Sequence, residues 1–247
     1  MHDHGLQCVH DPLFVVLSYI VAVLGSYTAL QLAVGIPTAR NSSERIRAVA
    51  ISGIAVGGAI WAMHFIAMLA CKMELTVTYD IGKTFASALI AMAACSAGLA
   101  IVGIGVFAWS RLILGGFLMG IGVAGMHYLG MAAMVMNASI DYDMTIVVVS
   151  VLIAIVASIA ALWLAFHMRG VLQMTGSALV MGVAVCGMHY TGMAAAHFVV
   201  TADAAPLVAG IGGAYLGATV FGVTTVLLSA LLVMALLRQQ KRALVKI

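Results

Sequence analysis

Three histidines lie in nearly identical heptapeptides, inside stretches of sequence that carry almost no charge. One heptapeptide, Gly-Met-His-Tyr-Thr-Gly-Met, spans residues 187–193, a second copy spans 125–131, and a third, Ala-Met-His-Phe-Ile-Ala-Met, spans 62–68. In each copy a small residue and a methionine precede the histidine, and an aromatic residue, a small residue and a second methionine follow it. Imidazole nitrogen combined with thioether sulfur suits a soft transition metal, copper above all. The repeated pattern therefore predicts a metal site.

The candidate ligands are the histidine and both methionines of every copy. An ionisable side chain within a membrane segment is costly, and its default interpretation is functional. Sites built from histidine alone also suit zinc, and a haem iron held by two of the histidines is a further alternative. In a purely structural interpretation, each histidine bonds to a neighbouring helix and each methionine fills space. The full set is His64, His127, His189, Met63, Met68, Met126, Met131, Met188 and Met193.

The composition indicates which elements must position these residues. Of the 247 residues, 64% are hydrophobic and 8% are charged, which indicates a polytopic membrane protein. A helix needs about 20 apolar residues to cross about 30 Å of hydrocarbon. We therefore expect an all-α integral membrane domain over residues 1–237, followed by a short basic cytoplasmic tail over 238–247. The seven predicted spans are roughly 12–34, 48–71, 83–109, 112–136, 144–167, 171–197 and 208–237.

The basic residues predict the orientation of the spans. Arginine and lysine collect on the cytoplasmic side of membrane proteins, and only Lys72 and Lys83 fall on the opposite side from the other basic residues. We expect the N-terminus outside, the C-terminus in the cytoplasm and the chain in a bacterial inner membrane. The net charge of +3 follows from this asymmetry and requires no nucleic-acid partner.

The spacing of the heptapeptides predicts how the helices are arranged. The histidines lie 63 and then 62 residues apart, and each period contains two crossings, so all three copies share one orientation. Repeats of this kind are related by an axis along the membrane normal. We predict three two-helix repeats with pseudo-threefold symmetry, in which the histidines form one tier in the outer half of the membrane. The second methionines then form a thioether tier about one helical turn further out.

Several other polar residues are weaker candidates. Asp80 and Asp143 follow their histidines by sixteen residues, and Asp203 follows His189 by fourteen; they either bond to the imidazoles or lie solvated in loops. The four cysteines form no Cys-x-x-Cys pair, so no disulfide framework is expected. Two further histidines, His167 and His197, are expected at span ends. The N-terminal segment, expected to be a flexible external tail, carries a possible metal-binding cluster of His2, His4, Cys8 and His10.

The three heptapeptides resemble the MHYT domain, a bacterial membrane module named for its Met-His-Tyr-Thr motif. Residues 188–191 have this motif literally, whereas Phe65 and Ile66 replace Tyr and Thr in the first copy, and Leu129 replaces Thr in the second. The resemblance covers the chain from the first span to the seventh. It implies a sensor that binds copper through Met and His, senses O2, CO or NO, and acts on cytoplasmic cyclase, phosphodiesterase, kinase or DNA-binding outputs.

The predicted function is therefore a membrane sensor that binds a metal and signals to a cytoplasmic partner in response to a diatomic gas or a change of redox state. Two alternatives use the same site. A metal-dependent membrane enzyme would act on lipid or on a small redox substrate, and a copper carrier would pass Cu(I) along the methionines. The pattern assigns no catalytic residue and leaves the oligomeric state open.

Overall fold

The computed structural model describes residues 8–201 and 210–244, and this part of the chain forms seven α-helices. All seven are long and apolar enough to cross a membrane, as the sequence predicted. The helices are α1 Pro12–Ala33, α2 Ser42–Ala70, α3 Ile81–Gly103, α4 Trp109–Met131, α5 Met144–His167, α6 Val171–Ala194 and α7 Gly213–Leu244.

Several helix ends differ by five or six residues from the prediction, the largest differences being the start of α2 at Ser42 and the end of α3. Helix α3 stops at Gly103 rather than near residue 109, because Gly105 adopts φ +108°, a left-handed conformation that suits glycine, and turns the chain toward α4. The guanidinium of Arg111 then donates to the carbonyl oxygen of Ile104 and holds this turn. The apolar span of helix α7 ends at Leu237, as predicted, and the helix itself continues to Leu244 into the basic segment.

The first six helices form a ring in chain order that closes where α6 packs against α1. Inside this ring α2, α4 and α6 contact one another, and α5 contacts α1 and α3, whereas α7 lies outside against α1 and α2. Glycine allows the close approaches: a Cβ at Gly57 of α2 would lie 2.6 Å from the Cα of Met92, and one at Gly120 of α4 would lie 2.5 Å from that of Ile155. Small residues at membrane helix interfaces permit this kind of packing.

The three odd helices of the ring begin with the same device. An aspartate before each helix caps it, because its side chain accepts a hydrogen bond from a backbone N–H of the first turn. The backbone N–H of the same aspartate donates to the carbonyl of the alanine six residues past a motif histidine. The pairs are Asp11 with Ala70 at 2.8 Å, Asp80 with Ala133 at 2.8 Å, and Asp143 with Ala195 at 2.9 Å.

Short antiparallel strands, which the sequence did not predict, connect the helices at this end of the bundle, hereafter the strand end. The backbone N–H and C=O groups beyond the end of a helix still need hydrogen-bond partners. Here they find them in three small antiparallel sheets, two with two strands and one with three. The pairings are β1 Val9–His10 with β2 Cys71–Lys72, β3 Thr78–Asp80 with β4 Met134–Val135 and with β7 Gly210–Gly212, and β5 Ala138–Tyr142 with β6 Ala196–Val200.

The expectation about cysteines was wrong for one pair. Cys8 and Cys71, 63 residues apart, form a disulfide. The pairing of β1 with β2 brings their Cα atoms to 5.1 Å, a separation that no local sequence pattern reveals. Cys95 and Cys186 are free and buried.

Candidate metal centre

The three motif histidines meet at the centre of the bundle, one each from α2, α4 and α6. Their exposed fractions are 1% for His64 and 0% for both His127 and His189. The Nδ1 atom of His64 lies 3.0 Å from that of His189 and 3.2 Å from that of His127. The rings contact edge to face, with centroids 4.9 to 5.2 Å apart. Among the described residues, this is the group of histidine, cysteine or acidic side chains that can hold a metal ion.

The outward nitrogens of the same rings have no hydrogen-bond partner. The Nε2 atoms of His64, His127 and His189 are all buried and unsatisfied. The small residue of the neighbouring motif makes room for two of them: a Cβ at Gly130 would overlap Nε2 of His64, and one at Gly192 would overlap Nε2 of His127. The corresponding position on α2 is Ala67, which is also buried. Helices α4 and α6 thus each receive the imidazole of another central helix against a glycine.

Proton counting tests whether these imidazoles fit a metal. A neutral imidazole has one N–H and one lone pair, so the Nδ1 atom of His64 cannot make a good hydrogen bond with both neighbours at once. Unsatisfied buried polar groups cost about 1–3 kcal/mol each. A metal ion would accept the lone pairs of the converging Nδ1 atoms and remove this conflict. The residues present therefore fit a metal, and the buried triad can hold one.

The motif methionines fall into different environments. All six are buried. The second methionines of the copies, Met68, Met131 and Met193, belong to one hydrophobic cluster near the strand end. The first methionines do not converge: Met126 and Met188 lie in the main core of the bundle, and Met63 lies in a small cluster with Ala22, Ala67 and Cys186.

In the second and third copies, the tyrosine after the histidine contacts a serine on an adjacent odd helix. The hydroxyl of Tyr128 lies 2.6 Å from Oγ of Ser150, and the hydroxyl of Tyr190 lies 3.4 Å from Oγ of Ser18. These pairs join α4 to α5 and α6 to α1. The tyrosine hydroxyls therefore have partners on neighbouring helices.

The first copy makes the same connection with a different residue. Phe65 has no hydroxyl, and the indole N–H of Trp61 donates instead to Oγ of Ser87 at 3.1 Å, joining α2 to α3. The sequence analysis did not single out these serines. Their signal is a common spacing, because Ser18, Ser87 and Ser150 each lie seven residues past a capping aspartate.

The weaker candidates lie away from the triad or have structural roles. Asp80 and Asp143 are helix caps, and Asp203 lies outside the described residues. His167 ends α5, as expected, and stacks on Trp163 with ring centroids 4.8 Å apart. His197 lies in β6, just past the end of α6.

The N-terminal segment is described only from Cys8 onward, so His2 and His4 lie outside the described residues. His10 lies in β1, and its ring contacts that of Tyr190 with centroids 5.4 Å apart. With Cys8 in the disulfide, two members of the proposed tail cluster are part of the ordered strand end.

Two tyrosines at the strand end remain neutral phenols. Burial raises the pKa of Tyr142 to about 12, with a smaller contribution from the neighbouring Tyr128. Burial also raises the pKa of Tyr79 well above its ordinary value. Neither side chain therefore supplies an anionic ligand near physiological pH.

Comparison with known proteins identifies the repeats. The profile of the MHYT family, described as "Bacterial signalling protein N terminal repeat", matches residues 57–115 and 120–178. Three curated relatives match most of the chain. The bifunctional diguanylate cyclase/cyclic di-GMP phosphodiesterase MucR of Pseudomonas aeruginosa is 40% identical over 95% of the chain, and the cyclic di-GMP phosphodiesterase NbdA of the same organism is 36% identical over 76%. The signaling protein YkoW of Bacillus subtilis is 31% identical over 78%.

These relatives are much longer proteins. The chain spans 35% of the length of MucR and 25% of the lengths of NbdA and YkoW. No solved structure matches the chain. The seven apolar helices and the family profile together indicate a multi-pass protein of the bacterial inner membrane. With two profile matches, which include His64 and His127, and a relative that is 40% identical over 95% of the chain, the chain belongs to the MHYT family, the membrane sensor domains of bacterial signalling proteins.

Proposed function

We propose that this domain binds a copper ion through its three central imidazoles, senses a diatomic gas or a change of redox state there, and signals to a cytoplasmic partner. The single observation that supports the metal is the convergence of three buried Nδ1 atoms that cannot all be satisfied by hydrogen bonds among themselves. A histidine kept only for packing would be expected to bond to a neighbouring helix, whereas the Nδ1 atoms of these three side chains face one another.

The surroundings favour copper over the alternatives. Thioethers select Cu(I), and Met68, Met131 and Met193 lie in one buried cluster, each four residues past a triad histidine. Zinc needs no thioether and remains the second choice. Haem is disfavoured because imidazoles with centroids 4.9 to 5.2 Å apart leave no room for a porphyrin between any two of them unless the helices separate.

Three protein nitrogens leave a coordination position for an external ligand, as in catalytic zinc sites that have three protein ligands. A bound copper would supply that position and a redox couple. The protein contributes a dry, apolar environment, since the three rings are almost completely buried. Small apolar molecules such as O2, CO and NO are suited to reach such a site, whereas charged solutes are not.

The signal from the metal centre would reach the cytoplasm through the helices that carry the ligands. Each triad histidine lies on a different central helix, so a change in the centre alters how α2, α4 and α6 pack together. Helix α7 packs on α1 and α2 and carries the C-terminal basic segment. A ligand shifts such an equilibrium only if it binds the two packing states unequally. We expect the response to reach cyclic di-GMP turnover, the activity that the names of MucR and NbdA state for those proteins.

The proposed orientation puts the strand end outside the cell. The basic residues at the opposite end favour it, and so does the disulfide between Cys8 and Cys71, since disulfides persist in oxidising compartments. A membrane-impermeant thiol reagent, applied to intact cells after mild reduction, tests this directly. Labelling of Cys71 is expected, whereas labelling only after the cells are opened would contradict it.

Elemental analysis of the purified chain tests the metal. We expect copper in the wild type and its loss in His64→Ala, His127→Ala and His189→Ala. His167→Ala is the matched control, because this histidine ends a helix outside the triad and stacks on Trp163. Zinc or iron in place of copper would overturn the assignment of the metal, and retention of metal in all three variants would overturn the site.

Infrared spectroscopy of the copper-loaded protein under CO then tests the sensor. A carbonyl stretching band that disappears in His127→Ala is the expected result. Turnover of lipid or of a small redox substrate, lost in the same variant, would favour an enzyme instead. Copper uptake by proteoliposomes would favour a carrier.

A further inference from the structure

A cavity of about 210 Å³ lies beside the strand end of α2. Three methionines line it: Met68 from the last turn of α2, Met73 from the segment after β2, and Met134 from β4. They belong to separate segments and come together because β4 pairs with β3, where Met134 is the partner of Tyr79. The motif analysis identified Met68 but neither Met73 nor Met134, since these two lie outside the heptapeptides.

The methionines become more buried toward the histidines. Met73 and Met134 are half-buried, whereas Met68 is 2% exposed, Met131 0% and Met193 6%. All five belong to, or pack against, one hydrophobic cluster. Met68, Met131 and Met193 each follow a triad histidine by four residues, so each lies about one turn, or about 6 Å, further along its helix. Thioethers therefore extend from the wall of the cavity to the neighbourhood of the imidazoles.

The wall of the cavity suits a soft monovalent cation. None of the described residues that line it carries a carboxylate, so hard divalent cations lack their preferred ligands. The charged group in the wall, the ammonium of Lys72, lies over the ring of Phe14, 4.8 Å from its centroid. Methionine often only fills space in a core. The methionines at this cavity leave its space open, so filling space does not explain them.

We propose that Met68, Met73 and Met134 form a thioether entry site that takes up Cu(I) at the strand end and passes it toward Met131, Met193 and the histidines. Each step exchanges one neutral ligand for another, so the oxidation state of the ion does not change. At the histidines, a ring that carries its proton on Nδ1 must move it to Nε2 before Nδ1 can bind the ion. The entry site is independent of the histidines. Delivery to them rests on the proposed function.

Titration with Ag(I), a redox-inert substitute for Cu(I), tests the entry site. The full chain is labelled with 13C at the methionine methyl groups, and Met73→Leu and Met134→Leu assign the two signals. We expect these two signals to shift during the titration. The double variant should bind Ag(I) at this site about tenfold more weakly, within the range for loss of a metal-site group. Unmoved signals for Met73 and Met134 would overturn the proposal.

Met136→Leu is the matched control. Met136 is buried in the same cluster but does not line the cavity, and the substitution conserves volume. It should leave Ag(I) binding unchanged. If it weakens binding as much as the double variant, general packing rather than coordination explains the effect, and the entry site is wrong.

A loading experiment separates this proposal from the proposed function. Copper uptake from a Cu(I)–chelator complex is followed in the wild type, in Met73→Leu/Met134→Leu and in His127→Ala. Slower loading of the double variant to the same final copper content supports both proposals. If Ag(I) shifts the methyl signals of Met73 and Met134 but no copper binds at the histidines, the entry site is supported and the proposed function is rejected. Equal loading rates in the wild type and the double variant reject delivery through the entry site.

Discussion

The first copy of the motif differs from the other two at the position that follows the histidine, and the structure explains why this is tolerated. In the second and third copies a tyrosine hydroxyl contacts a serine on the next helix of the ring. In the first copy Phe65 cannot do so, and the indole of Trp61, one turn earlier on the same helix, reaches Ser87. The hydrogen bond from the central helix to the serine of the next helix is therefore kept, although an indole N–H replaces the tyrosine hydroxyl.

This comparison separates two roles within one motif. The histidine and both methionines occur in all three copies, and the imidazoles meet at the centre. The aromatic residue can change from tyrosine to phenylalanine because its hydroxyl, where present, is used to hold an outer helix.

Filling the glycine beside an imidazole should have the largest effect. A Cβ in Gly130→Ala would overlap Nε2 of His64, so the ring must move away from its partners. We expect copper affinity to fall about tenfold or more, measured by competition with a chelator. In Gly125→Ala, where the added Cβ meets nothing within 4 Å, affinity should be unchanged. Equal affinities in the two variants would show that the imidazole position does not matter.

Loss of a capping aspartate should affect stability but not metal binding. The side chain of Asp143 accepts hydrogen bonds from the backbone N–H groups of Thr145 and Ile146 at 2.8 and 3.3 Å. Asp143→Ala should lower the free energy of unfolding by about 1 kcal/mol, measured by SDS titration in mixed micelles. Asp141→Ala, two residues away in β5 and not a cap, should change it little. A loss of copper in Asp143→Ala would mean that the aspartate acts on the centre.

The tyrosine–serine pair should contribute a smaller, specific coupling. A double-mutant cycle with Tyr128→Phe and Ser150→Ala should give a coupling energy of about 0.6 kcal/mol, the average for hydrogen bonds between membrane helices. The copper content should stay at the wild-type level in all three variants. Copper loss in Tyr128→Phe but not in Ser150→Ala would instead make the phenol a part of the metal site.

Conversion of the first copy to the pattern of the others should have the smallest effect. Trp61→Phe removes the indole N–H that donates to Oγ of Ser87 and to the carbonyl oxygen of Thr84, and should lower stability. The smallest effect is the part of this loss that a second substitution restores, which should be less than about 0.6 kcal/mol. Adding Phe65→Tyr should restore part of this loss, because the new hydroxyl occupies the position used in the other copies. Stability is again measured by SDS titration. If Phe65→Tyr destabilises the Trp61→Phe variant further, the copies are not equivalent at this position.

Much of the architecture could be predicted from residue types and spacing. Apolar length alone identified seven spans, since hydrocarbon thickness fixes how many apolar residues a helix must contain. The repeat of the heptapeptide identified His64, His127 and His189, which meet at the centre of the bundle. The helix ends were less predictable. Helix α3 stops at a turn that Gly105 permits and Arg111 holds, and that turn depends on local backbone conformation rather than on hydropathy.

The sequence by itself determined which residues are buried in the membrane and which imidazoles share a level, because hydropathy and helical periodicity act along the chain. Only the tertiary structure decided which distant residues meet. Cys8 bonds to Cys71, the hydroxyl of Tyr190 on α6 contacts Ser18 on α1, and Met73 and Met134 line one cavity. These contacts join segments far apart in sequence. They depend on strand register and helix rotation, which no local pattern encodes, since each is fixed by packing against the rest of the bundle.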